Sequence, residues 1–130
     1  MNWSKAESIA YTLLRVVAGW LFFQAGATKI LGWFGGVPPG VTIAVGSQAW
    51  IGGMLEMIGG LLILIGLFTR PAAFIVSGEM AVAYFQFHQP NGTWPHQNQG
   101  TAAVLFCFIF LYMSAKGGGE YSLDAFLRKR

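Results

Sequence analysis

Four long apolar stretches follow one another in this 130-residue chain, separated by short segments rich in glycine, proline or amide side chains. A bilayer core is about 30 Å thick, and a helix needs about 20 apolar residues to cross it. The stretches therefore predict an all-α membrane protein, a four-transmembrane-helix bundle formed by a single domain over residues 1–130. The expected spans are residues 9–31, 49–68, 71–88 and 100–115.

The composition agrees with a chain that faces lipid. Hydrophobic residues make up 55% of the chain and charged residues only 10%, with a mean hydropathy of +0.54. Soluble domains carry about 25% charged residues, so this chain cannot cover a water-facing surface. A single cysteine also excludes a disulfide framework and a four-cysteine metal site.

The segments between the stretches contain residues that end helices or form turns and loops. Paired glycines and paired prolines in residues 32–40 end the first stretch. Thr69-Arg70-Pro71 is predicted to form a tight turn, with the proline suited to open the next helix. Residues 89–99 are polar, contain two prolines and an Asn-Gly step, and predict a loop. Near the end of the chain, Ser122 is a candidate cap for a short amphipathic helix.

The basic residues predict the orientation in the membrane. Four spans place both termini on one side, and the two loops on the opposite side contain no Lys or Arg. Under the positive-inside rule the termini are cytoplasmic, and the protein is a multi-pass protein of the cytoplasmic membrane. Contact with lipid headgroups accounts for the pI of about 9.3, so no nucleic acid partner is expected. The bases on the cytoplasmic side are Lys5, Arg70, Lys116, Arg128, Lys129 and Arg130.

Four charged residues inside the spans are the most informative feature: Arg15, Lys29, Glu56 and Glu79. A charge at mid-bilayer costs about 2.5 to 3.5 kcal/mol, so each needs a partner or water. Their estimated depths pair Arg15 with Glu79 near the cytoplasmic side, and Lys29 with Glu56 nearer the outside. These charges either hold the helices together or line a functional cavity.

Heptad spacing predicts which helix faces meet. Charged and small residues recur at alternating steps of four and three in the first two spans, and at steps of seven in the fourth. Small residues let membrane helices approach closely, so we expect these seams to face inward, with Phe, Leu and Ile outward. The seams are Arg15, Gly19, Phe22, Gly26, Lys29 and Trp33; Gly52, Glu56, Gly59, Ile63, Gly66 and Arg70; and Gly100, Cys107 and Ser114.

The two histidines, His88 and His96, argue against a haem or a metal. Membrane haem ligation needs histidines facing each other from helices, whereas these two flank one loop that lacks acids and cysteines. His96 is expected to be solvated. His88 ends an apolar helix, where it can bind a ligand headgroup or a proton donor. Cys107, among phenylalanines, is expected to pack as an inert side chain.

Several segments of the chain form a recognisable set: Leu14-Arg15-Val16 with Gly19 and Phe22-Phe23, residues 26–29, 56–60 and 64–73, His88 and the tail Tyr121-Ser122-Leu123-Asp124. Together they resemble the DoxX family of small bacterial four-helix membrane proteins, over nearly the whole chain. One position departs from that pattern: the family often has an Asn-Gly-Gly-Glu-like entry to the fourth helix, whereas residues 98–101 are Asn-Gln-Gly-Thr, without the acid.

The resemblance implies a link to redox complexes of the bacterial inner membrane. Relatives include a small subunit of an archaeal thiosulfate:quinone oxidoreductase, and others are linked to membrane complexes that handle thiol and superoxide stress. The resemblance therefore implies association with other subunits or with further copies of the chain. A family likeness alone does not establish an activity.

Three functional hypotheses remain open from the sequence. The first is a membrane subunit of a redox complex that binds a quinone or similar lipophilic carrier among its helices. If it takes part in catalysis, it is a quinone-linked oxidoreductase subunit without its own metal or haem. The second is an anchor or assembly subunit without a ligand, and the third is a small transporter. The candidate ligand-binding or proton-relay residues are Arg15, Lys29, Glu56, Glu79 and His88.

Overall fold

The computed structural model describes residues 2–129, and within that range the chain is all-helical, without strands. This confirms the predicted all-α class. The third helix continues directly into a π-helical turn, Tyr84–His88, and a short 3-10 turn, Gln89–Asn91. The α-helices are α1 (Trp3–Ile30), α2 (Gln48–Ile65), α3 (Thr69–Ala83), α4 (Pro95–Asn98), α5 (Thr101–Lys116) and α6 (Leu123–Arg128).

The described residues form two compact units. One contains residues 2–69 and 118–129, and therefore α1, α2 and α6; the other contains residues 70–117. Helices α1 and α2, with 28 and 18 residues, are long and apolar enough to cross a membrane. Helix α5 is also apolar but has only 16 residues.

Side-chain and glycine caps fix the ends of the long helices. The side chain of Asn2 accepts a hydrogen bond from the Lys5 N–H, so α1 begins earlier than the apolar stretch at residue 9. Helix α2 begins at the cap Ser47 and ends at Gly66, where φ is +72°. The left-handed backbone at Gly66 stops α2 three residues before the predicted end of the second stretch at residue 68.

Helices α1 and α2 approach until their backbones touch. A Cβ atom built on Gly26 would lie 2.3 Å from the Met57 nitrogen, and one on Gly19 would lie 2.6 Å from the Leu64 nitrogen. From the other side, a Cβ on Gly60 would lie 2.4 Å from the Phe23 nitrogen. Only glycine fits at these positions, so the predicted role of small residues in close helix contact is confirmed for this pair.

The first two predicted seams agree with most of this interface. On α1, the predicted residues from Arg15 to Gly26 are buried, whereas Trp33 lies beyond the helix and is exposed. On α2, the close contacts include Gly53 and Gly60, one residue after the predicted Gly52 and Gly59. Two adjacent glycines occur at each site, and at the second site the predicted Gly59 is buried together with Gly60.

The seam predicted for the fourth stretch lies beside the most buried residues of α5, because Ala103 and Phe110 alternate with Cys107 and Ser114 at steps of four and three. The buried hydrophobic residues of α5 are Ala103, Phe110 and Met113, whereas Cys107 and Ser114 are half-buried. The expectation that phenylalanine would lie outside is thus wrong for Phe110, which is fully buried. Helix α5 is apolar on all sides, so residue spacing could not identify which residues of this face are the most buried.

Candidate functional site

Lys29 and Glu56 form an ion pair between α1 and α2. The Lys29 Nζ lies 2.9 Å from Oε1 and 3.1 Å from Oε2 of Glu56, so both carboxylate oxygens accept a hydrogen bond from the ammonium group. The Lys29 side chain is 36% exposed, and the Glu56 side chain only 4%. The predicted pairing of these two residues is confirmed. The arrangement places a partly accessible cation over a buried carboxylate.

The glycine contacts between the helices bring this pair together. A Cβ on Gly53 would lie 3.1 Å from the Lys29 Cβ, so the last turn of α1 lies directly against the first half of α2. Glu56 follows Gly53 by three residues, which places it one helical turn further along α2. The short distance between the backbones lets the Lys29 side chain reach the carboxylate.

Aromatic side chains cluster around the C-terminal end of α1, next to Lys29 in the sequence. Trp20 stacks on Phe23 with ring centroids 5.8 Å apart, and Phe34 lies edge-on to Trp20 at 5.8 Å. Trp33 contacts both phenylalanines edge-on. Tryptophan is enriched where a membrane meets water, so this cluster is typical of that depth.

Arg15 lies at the other end of the α1–α2 pair and is 3% exposed. Its Nε donates to the Ile63 carbonyl at 3.0 Å and its Nη1 to the Gly118 carbonyl at 2.6 Å. Its Nη2 lies 3.4 Å from the carbonyls of Leu64 and Tyr121. The guanidinium group therefore binds the carbonyl groups at the end of α2, where the helix dipole is negative, together with the C-terminal tail.

Asp124 attaches the same tail to the start of α3. Its Oδ1 and Oδ2 accept hydrogen bonds from the backbone N–H groups of Phe68 and Thr69, at 2.8 and 3.0 Å. Partial burial disfavours the charged carboxylate, but these hydrogen bonds outweigh it and lower the pKa of Asp124 below its usual range. Ser122 caps α6 through the Ala125 N–H, which confirms the predicted cap.

His88 belongs to a polar cluster in the second unit. Its Nδ1 lies 3.1 Å from the Asn98 carbonyl, and its ring stacks on that of Tyr84 with centroids 6.3 Å apart. The buried Asn98 side chain donates to the Tyr84 hydroxyl and the Gly92 carbonyl, and accepts from the Gly100 N–H. The π-helical turn supplies both Tyr84 and His88, and such turns are frequent at functional sites.

A second arginine caps a helix in that unit. The Arg70 guanidinium donates to the carbonyls of Ser114, Ala115 and Lys116, the last three residues of α5. Among the described residues, arginine thus binds the C-terminal carbonyl groups of two helices, α2 and α5. The last carbonyl groups of a helix lack the regular partners of its interior, so both contacts supply donors that the helix itself does not.

The structure thus brings some predicted site residues together and leaves others as predictions. Lys29 and Glu56 are paired, and Arg15 contacts the tail. Glu79 lies half-buried in α3, in the other unit, and its predicted pairing with Arg15 stays a prediction. The sequence analysis did not single out Tyr84, although its spacing of four residues from His88 places both on one helix face.

The long apolar helices, the glycine contacts and the buried charges together define a small integral membrane protein. The chain belongs to the DoxX family, whose sequence profile matches residues 10–89. This confirms the resemblance found in the sequence.

Two relatives extend the similarity over almost the whole chain. An uncharacterised protein of Haemophilus influenzae is 35% identical over 126 residues, covering 95% of this chain and 94% of the relative. The inner membrane protein YqjF of Escherichia coli is 29% identical over 134 residues, covering 97% of this chain and 98% of its own. No solved structure matches the chain.

Proposed function

We propose that this protein is a subunit of a redox complex in the inner membrane and binds a quinone, or a similar lipophilic carrier, beside Lys29 and Glu56. The observation that carries the proposal is the geometry of this pair. Glu56 holds Lys29 in place, while part of the Lys29 side chain remains accessible. A quinone carbonyl accepts hydrogen bonds, and an ammonium group near the membrane surface is a suitable donor.

The side chains present fit such a carrier chemically. Lys29 would orient a carbonyl oxygen, and Glu56 would hold or pass a proton at its carboxylate. A bound quinone would supply the electron-accepting group, and electrons would come from a partner subunit. His88, whose ring stacks on that of Tyr84, is a second candidate for proton exchange. Glu79 and Arg15 remain candidates of the same kind, although the guanidinium group of Arg15 already donates to four carbonyls.

The proposal includes four spans with both termini in the cytoplasm. Helix α3 and its π-helical turn together cover residues 69–88, which corresponds to about 30 Å of helix, and α5 to about 24 Å. The contacts of Arg15 support termini on one side, because they join the N-terminal half of α1 to the C-terminal tail. The bases at that side favour the cytoplasm.

A second candidate function, an anchor or assembly subunit without a ligand, is favoured by the role of Arg15. This buried charge serves to bind backbone carbonyls of its own chain. The Lys29–Glu56 pair would then only join two helices.

The two functions are separated by substituting Lys29→Met, Glu56→Gln and His88→Ala singly in the intact membrane. We expect the Lys29 and Glu56 variants to lose quinol-linked activity and co-purified quinone in mild detergent, both measured per amount of protein in the membrane. Lys5→Gln is a matched control, since Lys5 is an exposed cation of α1. Loss of abundance alone, with an unchanged quinone content per protein, would support the anchor and contradict the carrier site.

A further inference from the structure

A groove of about 540 Å³ lies where the end of α2 meets the C-terminal tail. This volume falls within the range of about 300 to 1,000 Å³ that is usual for small-molecule sites. Most of the lining is apolar, with one acidic and one basic side chain. The lining residues are Ile65, Glu120, Tyr121, Ser122, Leu123, Phe126 and Lys129.

The position of the groove puts it at the surface of the membrane. Ile65 is the last residue of α2, one of the two helices able to span a bilayer, so the groove begins where that helix ends. Phe126 is 57% exposed and Tyr121 is 47% exposed beside it. Aromatic side chains at the end of a span favour the region between acyl chains and headgroups. A phospholipid is therefore the ligand available at this depth.

The charges on the groove select among headgroups. Lys129 offers an ammonium group to a phosphate, and Glu120 offers a carboxylate to a cation. A headgroup with a net negative charge would satisfy Lys129 but would be repelled by Glu120. A zwitterionic headgroup complements both charges, and a primary ammonium also donates hydrogen bonds to the carboxylate, which a quaternary one cannot.

We infer that this groove binds a phospholipid with a zwitterionic, primary-ammonium headgroup, as in phosphatidylethanolamine. Its acyl chain packs on Ile65 and Phe126, its phosphate binds Lys129, and its ammonium group binds Glu120. This site is separate from the Lys29–Glu56 pair, because Glu56 lies near the middle of α2 and Ile65 at its C-terminal end. The inference does not rest on the proposed carrier function.

The test is native mass spectrometry of the full-length protein, stripped of lipid in detergent and titrated with one lipid at a time. Phosphatidylethanolamine, phosphatidylglycerol and phosphatidylcholine with identical acyl chains serve as the probes. For the unmodified protein we expect tighter binding of phosphatidylethanolamine than of the other two, by about two- to fivefold, the factor that an exposed ion pair supplies.

Substitutions then assign the contacts. Glu120→Gln should abolish the preference for ethanolamine over choline, while Lys129→Gln should weaken binding of all three lipids. Glu7→Gln and Lys5→Gln, at exposed positions of α1, should change neither the preference for ethanolamine nor the affinity for the three lipids. Equal binding of the three lipids by the unmodified protein, or a preference that survives Glu120→Gln, would overturn the inference.

Discussion

Both carboxylate oxygens of Glu56 accept hydrogen bonds from the ammonium group of Lys29, at 2.9 and 3.1 Å. The two partners differ sharply in exposure, since Glu56 is buried and Lys29 is in part accessible. The pair is therefore asymmetric: the carboxylate depends on the ammonium group, whereas the ammonium group can also reach solvent or a ligand.

This asymmetry predicts unequal effects of removing either partner. Lys29→Ala leaves a buried carboxylate without its donor and should lower the free energy of unfolding by about 1 to 3 kcal/mol. Glu56→Gln leaves a partly exposed ammonium group that water can solvate, so it should lower the free energy of unfolding by less. Equilibrium unfolding in mixed detergent micelles measures both.

The double variant Lys29→Met/Glu56→Met provides the control for that experiment. Apolar side chains of similar volume often replace a buried ion pair with little loss of stability. The double variant should therefore be more stable than Lys29→Ala. If the double variant is as unstable as Lys29→Ala, the unpaired carboxylate of Glu56 is not what destabilises Lys29→Ala.

The glycine contacts predict a second outcome. Gly26→Ala places a methyl group where the Met57 backbone lies, which forces α1 and α2 apart and should cost about 1 to 3 kcal/mol. Gly78→Ala is the matched control, because a Cβ there has no neighbour within 4 Å among the described residues. That substitution should stabilise α3 by about 0.5 to 1 kcal/mol, the helix propensity difference. Equal effects of the two substitutions would contradict the close packing.

Arg15 is expected to hold the C-terminal tail. Arg15→Lys retains the charge but loses the planar set of donors, so it cannot serve four carbonyls in two segments. We expect a loss of about 1.5 to 3 kcal/mol and faster hydrogen exchange over residues 118–125.

Arg70→Lys is the comparison for that substitution. Arg70 binds carbonyls at the end of α5 from an exposed position, so its replacement should cost less and should leave exchange in the tail unchanged. Unchanged exchange over residues 118–125 in Arg15→Lys would contradict the role of Arg15.

Asp124 predicts how attachment of the tail depends on pH. Its pKa is lowered in the folded protein, so protonation is harder there than in the unfolded chain. The stabilisation is complete above the usual aspartate pKa of about 3.9, and it is lost as the pH falls from there through the lowered value. Asp124→Asn removes this contribution at every pH.

Thermal unfolding of both proteins between pH 6 and pH 3 measures the effect. The unmodified protein should melt higher at pH 6, and the difference from Asp124→Asn should narrow toward pH 3. Other carboxyl groups titrate in both proteins and cancel in that difference. A difference in melting temperature that stays constant from pH 6 to pH 3 would rule out a lowered pKa at Asp124.

The sequence predicted the features that rest on long apolar segments and on charge. The Lys29–Glu56 pair followed from the depth of each charge along its helix, because a buried charge in a membrane needs a partner. The cap at Ser122 followed from its position before an amphipathic segment.

Some features depend on which of two neighbouring residues makes a contact, or on main-chain groups far away in the sequence. These features could not be predicted in the same way. Where two glycines are neighbours, spacing alone did not identify Gly53 and Gly60 as the ones in contact. The acceptors of Arg15 are main-chain carbonyls, which every residue carries, so nothing in the sequence distinguished Gly118 or Tyr121. Asn98 reaches His88 from the short helix α4, so no helical period relates these two residues. Only Tyr84 could have been found from the sequence, by its spacing of four residues from His88.

The acceptors of Arg15 also set an order of events during synthesis. Arg15 enters the membrane early, with the first helix, but Gly118 and Tyr121 follow it by 103 and 106 residues. Until these two residues have been translated, half of the carbonyls that this guanidinium group binds do not exist. The N-terminal helix pair therefore cannot reach its final state before residues 118–121 have been synthesised, and deletion of these residues should impair a helix that was inserted earlier.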